Sequence, residues 1–343
     1  KWLGKNYSVF CNSGSSANLL MLSALQQGDY LKNNKVVVPS VAWATDLSPV
    51  IQLGLEPILC DSNFQDLSAD LEHLEKIFIK ESPSVLMFVS VLGLVPDMEK
   101  IIELCSKYDV ILLEDTCESM GCEYKGKKLG TFGKMSSFST FFGHHISTIE
   151  GGIISTEDKY LYELLLSIRS HGWDRDLSKE TQAKLQKEWD VTEFNSLYTF
   201  YYSGFNMRST DLQAYIGLTQ IDKLEDWGKK RESNYNQYQN LIQNDYWKPK
   251  SYTDSFTSNF AYPVIHPKRE EIIKKLKENK VEVRPMICGS MGTQPFYVKN
   301  YGKLKLPNVS VIDKYGFYVP NNPKLSSDEI LFISNIINKG ITE

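Results

Sequence analysis

The sequence predicts an α/β protein in which a mostly parallel sheet, covered by helices, forms a large domain followed by a smaller C-terminal αβ domain. Short apolar or β-branched runs alternate with helical-period segments through the first half, the pattern of strands joined by crossover helices. From about Trp247 onward the order is strand, helix, strand and a last helix. A length of 343 residues, at roughly 100 to 200 residues per domain, accommodates one large unit and one small one. With 42% hydrophobic and 23% charged residues the composition is ordinary for a globular chain. There is no internal repeat or low-complexity tract, which excludes solenoids.

Taken in order, Tyr7 to Cys11 reads as a strand and leads into a turn, Asn12 to Asn18, before the apolar helix Leu19 to Leu25. Val36 to Val38, Pro57 to Cys60, Val85 to Val91 and Val110 to Leu113 are short, almost unbroken apolar runs bounded by Pro, Gly, Asp or Asn, as buried parallel strands should be. Between them, Ser68 is placed to cap a helix carrying Leu71, Leu74, Ile77 and Phe78, and Asp97 one carrying Ile101, Leu104 and Cys105. Met135 to Phe142 and Gly152 to Ser155 are expected strands around an irregular segment, and Leu161 to Ser170 a helix. Asp174 to Tyr202 keeps no clear period and reads as a surface excursion. Helices resume at Asp211 to Ile221 and around Trp227 to Asn244. The small domain then takes a strand at Phe260 to Ile265, a helix at Arg269 to Asn279, a strand at Val281 to Pro285 and a helix after Ser326. We place the division near residue 225, giving 1–225 and 226–343.

The net charge is −4, from 38 basic and 42 acidic residues, which argues against a protein that holds nucleic acid or an anionic membrane through a basic surface. No stretch reaches the eighteen or so continuous apolar residues of a membrane span, and Lys1 to Tyr7 lacks the apolar core of a signal peptide. The expected compartment is the cytoplasm. The chain starts without methionine and enters a strand at once, so an N-terminal piece is expected outside it. Six cysteines, none at Cys-x-x-Cys spacing, read as reduced, buried thiols. Asn6 and Asn308 stand in glycosylation patterns too short to weigh without a secretory signal.

Three segments carry chemistry. In Asn12-Ser13-Gly14-Ser15-Ser16-Ala17-Asn18, glycine permits a tight turn, and amides and hydroxyls at a helix N-terminus can receive a phosphate; a plain serine-glycine cap fits the same residues. In Leu113-Glu114-Asp115-Thr116-Cys117-Glu118, a carboxylate follows a buried strand at the edge where open α/β sheets bind ligands. Asp115 there could hold a heterocyclic nitrogen protonated, or could cap the next turn. The third segment runs from Ser137-Phe138-Ser139 through Phe142-Gly143-His144-His145 to Glu150-Gly151-Gly152.

This third segment resembles the fold-type I, pyridoxal-phosphate-dependent family of nucleotide-sugar aminotransferases and dehydrases, in which Ser-Phe-Ser is followed by Lys-Asn and then Glu-Gly-Gly. The likeness covers nearly the whole chain and implies that family's aminotransferase-like fold. The position of the cofactor-binding lysine is taken by His144, which cannot form a Schiff base. What remains for it is proton transfer, to which an imidazole with an ordinary pKa near 6.5 is suited. Within the family, a histidine here resembles the sugar 3-dehydratases. The resemblance implies Gly14 and Ser15 at the cofactor phosphate, with Ser139 another phosphate-binding hydroxyl, and Trp43 stacked on the pyridine ring. It sets Asp115 toward the ring nitrogen and Glu118 toward the ring oxygen. Asn206, in Gly204-Phe205-Asn206-Met207-Arg208, corresponds to a residue reaching the phosphate of the neighbouring subunit's cofactor, which implies a homodimer with shared sites. His171, Arg175 and Arg208 are implied contacts of a diphosphate, for which guanidinium groups are natural clamps. Glu282 could receive ribose hydroxyls or guanine N–H donors, and Arg284 a phosphate.

The implied activity is dehydration at C3 of a nucleotide-linked 4-keto-6-deoxyhexose, with GDP-4-keto-6-deoxymannose the favoured form. Pyridoxal 5'-phosphate and pyridoxamine 5'-phosphate would be held without a covalent tether, and L-glutamate would regenerate the amine form. A sugar aminotransferase is disfavoured by the missing lysine. A dehydrase of CDP-linked sugars shares the histidine but carries a cysteine-rich iron-sulfur segment, whereas no cysteine lies between Cys122 and Cys288; no iron-sulfur cluster is expected. A non-catalytic sugar-nucleotide sensor on the same fold is the reading from another class. A His144-His145 metal site is discounted, because His73, His171 and His266 lack ligand spacing, and His145 is expected to face away from His144.

Overall fold

The apolar runs of the first half form the strands of one sheet in a computed structural model, which describes residues 1–342. In chain order the strands of this half are β1 (Tyr7–Cys11), β2 (Lys35–Pro39), β3 (Glu56–Cys60), β4 (Val85–Val89), β5 (Ile111–Asp115), the short pair β6 (Glu123–Tyr124) and β7 (Lys127–Lys128), β8 (Met135–Ser139) and β9 (Gly152–Thr156). Seven of them make the main sheet in the order β1-β9-β8-β5-β4-β2-β3. Only β9 runs against its neighbours. β4 is buried at every position, as befits a strand inside a parallel sheet covered on both faces by helices.

Register decides what this sheet can hold. Asp115 lies beside Ser137, while Cys11 and Ser139 flank Gly152 from either side. The C-terminal ends of β1, β5 and β8 therefore converge with the start of β9 on one edge, where α/β sheets bind ligands.

The crossover helices are α1 (Gly14–Gln27), α2 (Ala44–Gln52), α3 (Leu71–Glu81), α4 (Met98–Lys107) and α5 (Lys159–Ile168). Asp97 caps α4 as expected, accepting from Lys100 N at 3.4 Å. Ser68 does not cap α3. Asp70 does, accepting from His73 N at 2.9 Å, while the Ser68 hydroxyl is spent on Asp66 at 2.7 Å. The segment after Leu177 also departs from expectation, forming α6 (Lys179–Glu188) and α7 (Glu193–Ser196). In α6 only Leu185 is buried, so no apolar stripe marked it.

The second half adds α8 (Asp211–Leu218), α9 (Leu224–Leu241), β10 (Ser255–Phe256), β11 (Ala261–Ile265), α10 (Arg269–Glu278), β12 (Arg284–Pro285), α11 (Pro295–Tyr301), α12 (Pro307–Tyr315), β13 (Gly316–Pro320) and α13 (Ser327–Thr342). β11, β13 and β12 form an antiparallel sheet in that order. β12 is shorter than the expected Val281 to Pro285, because the chain before it closes α10: Lys280 takes φ 61° and Val281 N bonds Leu276 O at 2.9 Å. β10 joins β6 and β7, tying the second half to the first. One apolar core runs from Leu20, Val38 and Leu113 to Tyr238, Val264, Ile272 and Val319. All six cysteines are free thiols. Among the described residues, no helix is long and apolar enough to cross a membrane.

Candidate active site

At the N-terminus of α1 the Ser13 hydroxyl accepts from Ser16 N at 3.0 Å, leaving the amides of Gly14 and exposed Ser15 without an intrahelical acceptor. Gly14 is required by its neighbours: a Cβ there would lie 2.8 Å from both Cys117 Sγ and Ser139 Cβ. Across the turn, a Cβ on Gly152 would stand 2.1 Å from Ser13 O. Two glycines thus let the helix end, the end of β8 and the start of β9 close on one another, with Ser139 buried beside them. A helix terminus of this kind, rich in amides and hydroxyls, is shaped for a phosphate dianion.

Below this cradle lies a chain of buried polar groups. Asp115 accepts from Cys117 N at 2.8 Å through Oδ1 and from Asn18 Nδ2 at 2.6 Å through Oδ2. Asn18 in turn accepts from Ser137 Oγ at 2.6 Å, and its amide lies 3.4 Å from Asp46 Oδ1. Asp46 Oδ2 accepts from Trp43 N at 3.0 Å. The Trp43 side chain itself stands in the open, with the residue 55% exposed. Glu118 accepts from Leu92 N at 2.6 Å. Burial pushes the Glu118 carboxyl up to about 8, opposed by the Leu92 amide and aided by the charge of Asp115. Burial, and then repulsion from Asp115, likewise hold Asp46 well above the ordinary carboxylate range. Among the described residues no lysine or arginine offsets the charge at Asp46 or Glu118.

His144 faces this acid cluster from the segment between β8 and β9. The expected strand ends at Ser139, and residues beyond it form a turn held by Thr140 and Thr148, whose hydroxyls meet at 2.5 Å, and by Gln220, which accepts from Ser147 N at 2.9 Å. The imidazole centroid lies 5.9 Å from the Phe141 ring and 5.7 Å from Phe260. Its Nδ1 is buried without a hydrogen-bond partner. Burial lowers its pKa below the ordinary value; Asp115 opposes this, Arg231 adds to it, and the Ser139 backbone raises it weakly. The His145 ring turns elsewhere, its Nε2 2.6 Å from Ser258 O, and burial holds it well below the usual histidine range.

The sequence of the DegT/DnrJ/EryC1/StrS aminotransferase family matches residues 1–338 of this chain. The chain belongs to that family. It is 34% identical over 356 residues to a GDP-4-keto-6-deoxy-D-mannose 3-dehydratase of Yersinia pseudotuberculosis, covering 99% of this chain and 88% of the relative. It is 32% identical to the protein of the same name in Escherichia coli O55:H7, covering 98% and 89%. A crystal structure of GDP-4-keto-6-deoxymannose-3-dehydratase with a trapped PLP-glutamate geminal diamine superposes with a TM-score of 0.88, at 30% identity, over 98% of this chain and 89% of the other. The aminotransferase-like fold expected from the sequence is thus the fold of this family member.

The remaining site residues fall into two groups. Asn206, Arg208 and His171 gather past the free edge of β1, where Cys11 pairs with Arg208 and Ser170 with Asn206. His171 N bonds Phe205 O at 2.6 Å, and Arg208 Nη1 donates to Ser170 Oγ at 2.9 Å. Trp173 gathers the cations: Arg175 lies 3.9 Å and Arg208 5.6 Å from its ring, with the His171 ring at 5.1 Å. Glu282 and Arg284 are exposed, at and just before the edge strand β12 of the antiparallel sheet, and pair with each other at 2.6 Å. Asn18, Asp46, Phe260 and Arg231 were not singled out by sequence. Asn18 stands inside the turn that drew notice, and Asp46 three residues past Trp43, yet nothing local marks a residue whose role is to hold another.

Proposed function

We propose that this protein is a coenzyme-B6-dependent lyase that removes the C3 hydroxyl of a nucleotide-linked 4-keto-6-deoxyhexose, GDP-4-keto-6-deoxymannose, with L-glutamate as amino donor. One observation carries the reading: the imidazole of His144, which the family resemblance sets at the lysine position, is half-buried and within electrostatic reach of Asp115. The substrate class is supported by the names of the 34% and 32% identical relatives, and the cofactor and glutamate by the adduct trapped in the related crystal structure.

The residues present fit a pyridoxal-type group. A cradle that Cβ atoms would fill suits its phosphate, an open indole its ring, and a carboxylate cluster without a cation its protonated nitrogen. In our reading Gly14, Ser15 and Ser139 hold the phosphate, Trp43 stacks on the ring, and Asp115 and Glu118 meet its nitrogen and oxygen. When bound as pyridoxamine phosphate, the group supplies an amine for the sugar ketone and an electron sink that lets the C3 oxygen depart. His144 cannot tether that group. Its lowered pKa leaves the ring neutral at pH 7, so with Nδ1 sealed away, Nε2 is the atom that takes a proton and later returns it. Phe141 and Phe260 flank the imidazole with apolar rings.

His171, Arg175 and Arg208 clamp the diphosphate, and Glu282 receives the nucleoside. Because the family resemblance sets Asn206 against the phosphate of a neighbouring subunit's cofactor, we read the assembly as a homodimer in which one protomer completes its partner's site. The exposed apolar face of α8, where Leu212, Tyr215 and Leu218 are 69%, 68% and 69% exposed, supports a second copy as its cover. The division into 1–225 and 226–343, a cytoplasmic location and a role in deoxysugar supply for lipopolysaccharide belong to the same reading. Purified protein given pyridoxamine phosphate, glutamate and GDP-4-keto-6-deoxymannose is expected to release ammonia and yield a sugar lacking oxygen at C3 by mass spectrometry. Accumulation of an amino sugar instead defeats the proposal.

A further inference from the structure

Resting on the reading of His144 as proton carrier, we infer that Arg231 is a positioning residue for that base: with Asn321 it fixes the Ser258–Phe260 segment of the small domain, against which His144 and His145 both rest. Arg231 on α9 is 5% exposed, and Asn259 and Asn321 are fully buried. Its Nη1 donates to Asn321 O at 2.5 Å and to Asn259 O at 3.5 Å. The Asn321 amide closes the knot, donating to Arg231 O at 3.0 Å and to Asn259 Oδ1 at 2.7 Å. Asn259 then donates to Ala261 O at 2.6 Å, where β11 begins.

The two neighbours of Asn259 each touch one histidine. Ser258 O meets His145 Nε2 at 2.6 Å, and the Phe260 ring stands 5.7 Å from the His144 imidazole. The segment has no room to slide. A Cβ on Gly93 would lie 2.7 Å from Asn259 Cα and 2.8 Å from Glu118 O, and Ser258 N donates to Cys122 Sγ at 3.2 Å. A shift of Asn259 would therefore be felt at Glu118 and at both imidazoles.

A strut alone does not call for a buried guanidinium, since apolar packing usually serves as well or better. Arg231 has no carboxylate partner among the described residues, and burial pulls it down to about 10. The groups that face His144 are Asp115 from β5, Arg231 from α9, His145 and the Ser139 backbone, with Phe141 and Phe260 as its apolar walls. Asp115 favours the imidazolium and Arg231 disfavours it. Arg231 thus fixes the place of the base and adds to the burial that disfavours its charged form.

The test uses protein loaded with pyridoxamine phosphate and labelled with ¹⁵N-histidine, the His144 signal being identified by its loss in His144→Asn. In Arg231→Met the His144 titration midpoint is expected to move upward, and kcat to fall on the order of 10- to 100-fold with KM little changed. Arg231→Lys, which keeps the charge, is expected to restore the midpoint and much of kcat. Phe260→Leu, which leaves Arg231 intact, is expected to lower kcat as well. A folded Arg231→Met protein with wild-type kcat and midpoint overturns the inference. If that variant does not fold, wild-type kcat in Phe260→Leu overturns it. Full turnover in His144→Asn removes the underlying reading of His144, and is told apart because it leaves the Arg231 contacts untouched.

Discussion

Asn18 shows how one neutral side chain organises the floor of the site. Its amide donates to Asp115 at 2.6 Å and reaches Asp46 at 3.4 Å, while its carbonyl receives the Ser137 hydroxyl at 2.6 Å. Because it adds no charge, it orients Asp115 without neutralising it. Asn18→Ala leaves Asp115 with one hydrogen bond fewer and the Ser137 hydroxyl unpaired, each costing about 1–3 kcal/mol when buried. Pyridoxamine phosphate affinity, read by absorbance titration, is expected to fall at least tenfold; unchanged affinity would separate Asn18 from the cofactor floor. His144→Asn should behave in the opposite way. It retains cofactor affinity within a few-fold but loses turnover by about 10²- to 10⁴-fold, the ordinary worth of a positioned acid-base group, as measured by ammonia release.

Among elements, the parallel strands were the most legible, since burial on both faces writes them as unbroken apolar runs such as Val85–Val89. Helices with one apolar stripe were legible for the same reason. α6 was not, because a helix with one buried residue has no stripe to show, and α2 follows Trp43, which offers no side-chain cap. His144, Asp115 and Gly14 could be found because they sit in local motifs. Arg231 and Asn321 could not, being 90 residues apart and joined only by the fold. Glycine at the ends of α1 and β9 is what lets these elements meet, and this gives a test at their own scale. Gly152→Ala puts a methyl 2.1 Å from Ser13 O, a backbone atom that cannot step aside. It is expected to cost about 1–3 kcal/mol or more in a urea melt and to abolish phosphate-dependent cofactor binding. Gly54→Ala has open space around it but φ 70°, so it should cost only the backbone strain and spare binding.

At the scale of the whole molecule, the carboxyls gathered at the sheet edge couple folding to pH. Burial pushes the Glu118 carboxyl up to about 8 in the folded chain, against its ordinary value of 4.5. Between those values the folded state holds a proton that the unfolded state has released. Stability from this group is therefore greatest on the acid side and declines as pH rises through the window, levelling off above about 8. Asp46 acts in the same direction. Thermal melts of cofactor-free protein from pH 5.5 to 8.5 should show a falling midpoint, and Glu118→Gln, which has no proton to lose, should flatten much of that slope. A bound pyridinium supplies the positive charge this cluster lacks and favours the ionised carboxylates. Adding pyridoxamine phosphate is accordingly expected to stabilise the protein more at pH 8 than at pH 6. An Glu118→Gln slope equal to wild type would show that the buried carboxyl does not govern the pH response, and equal stabilisation by pyridoxamine phosphate at both pH values would show that the acid cluster does not face the cofactor's charge.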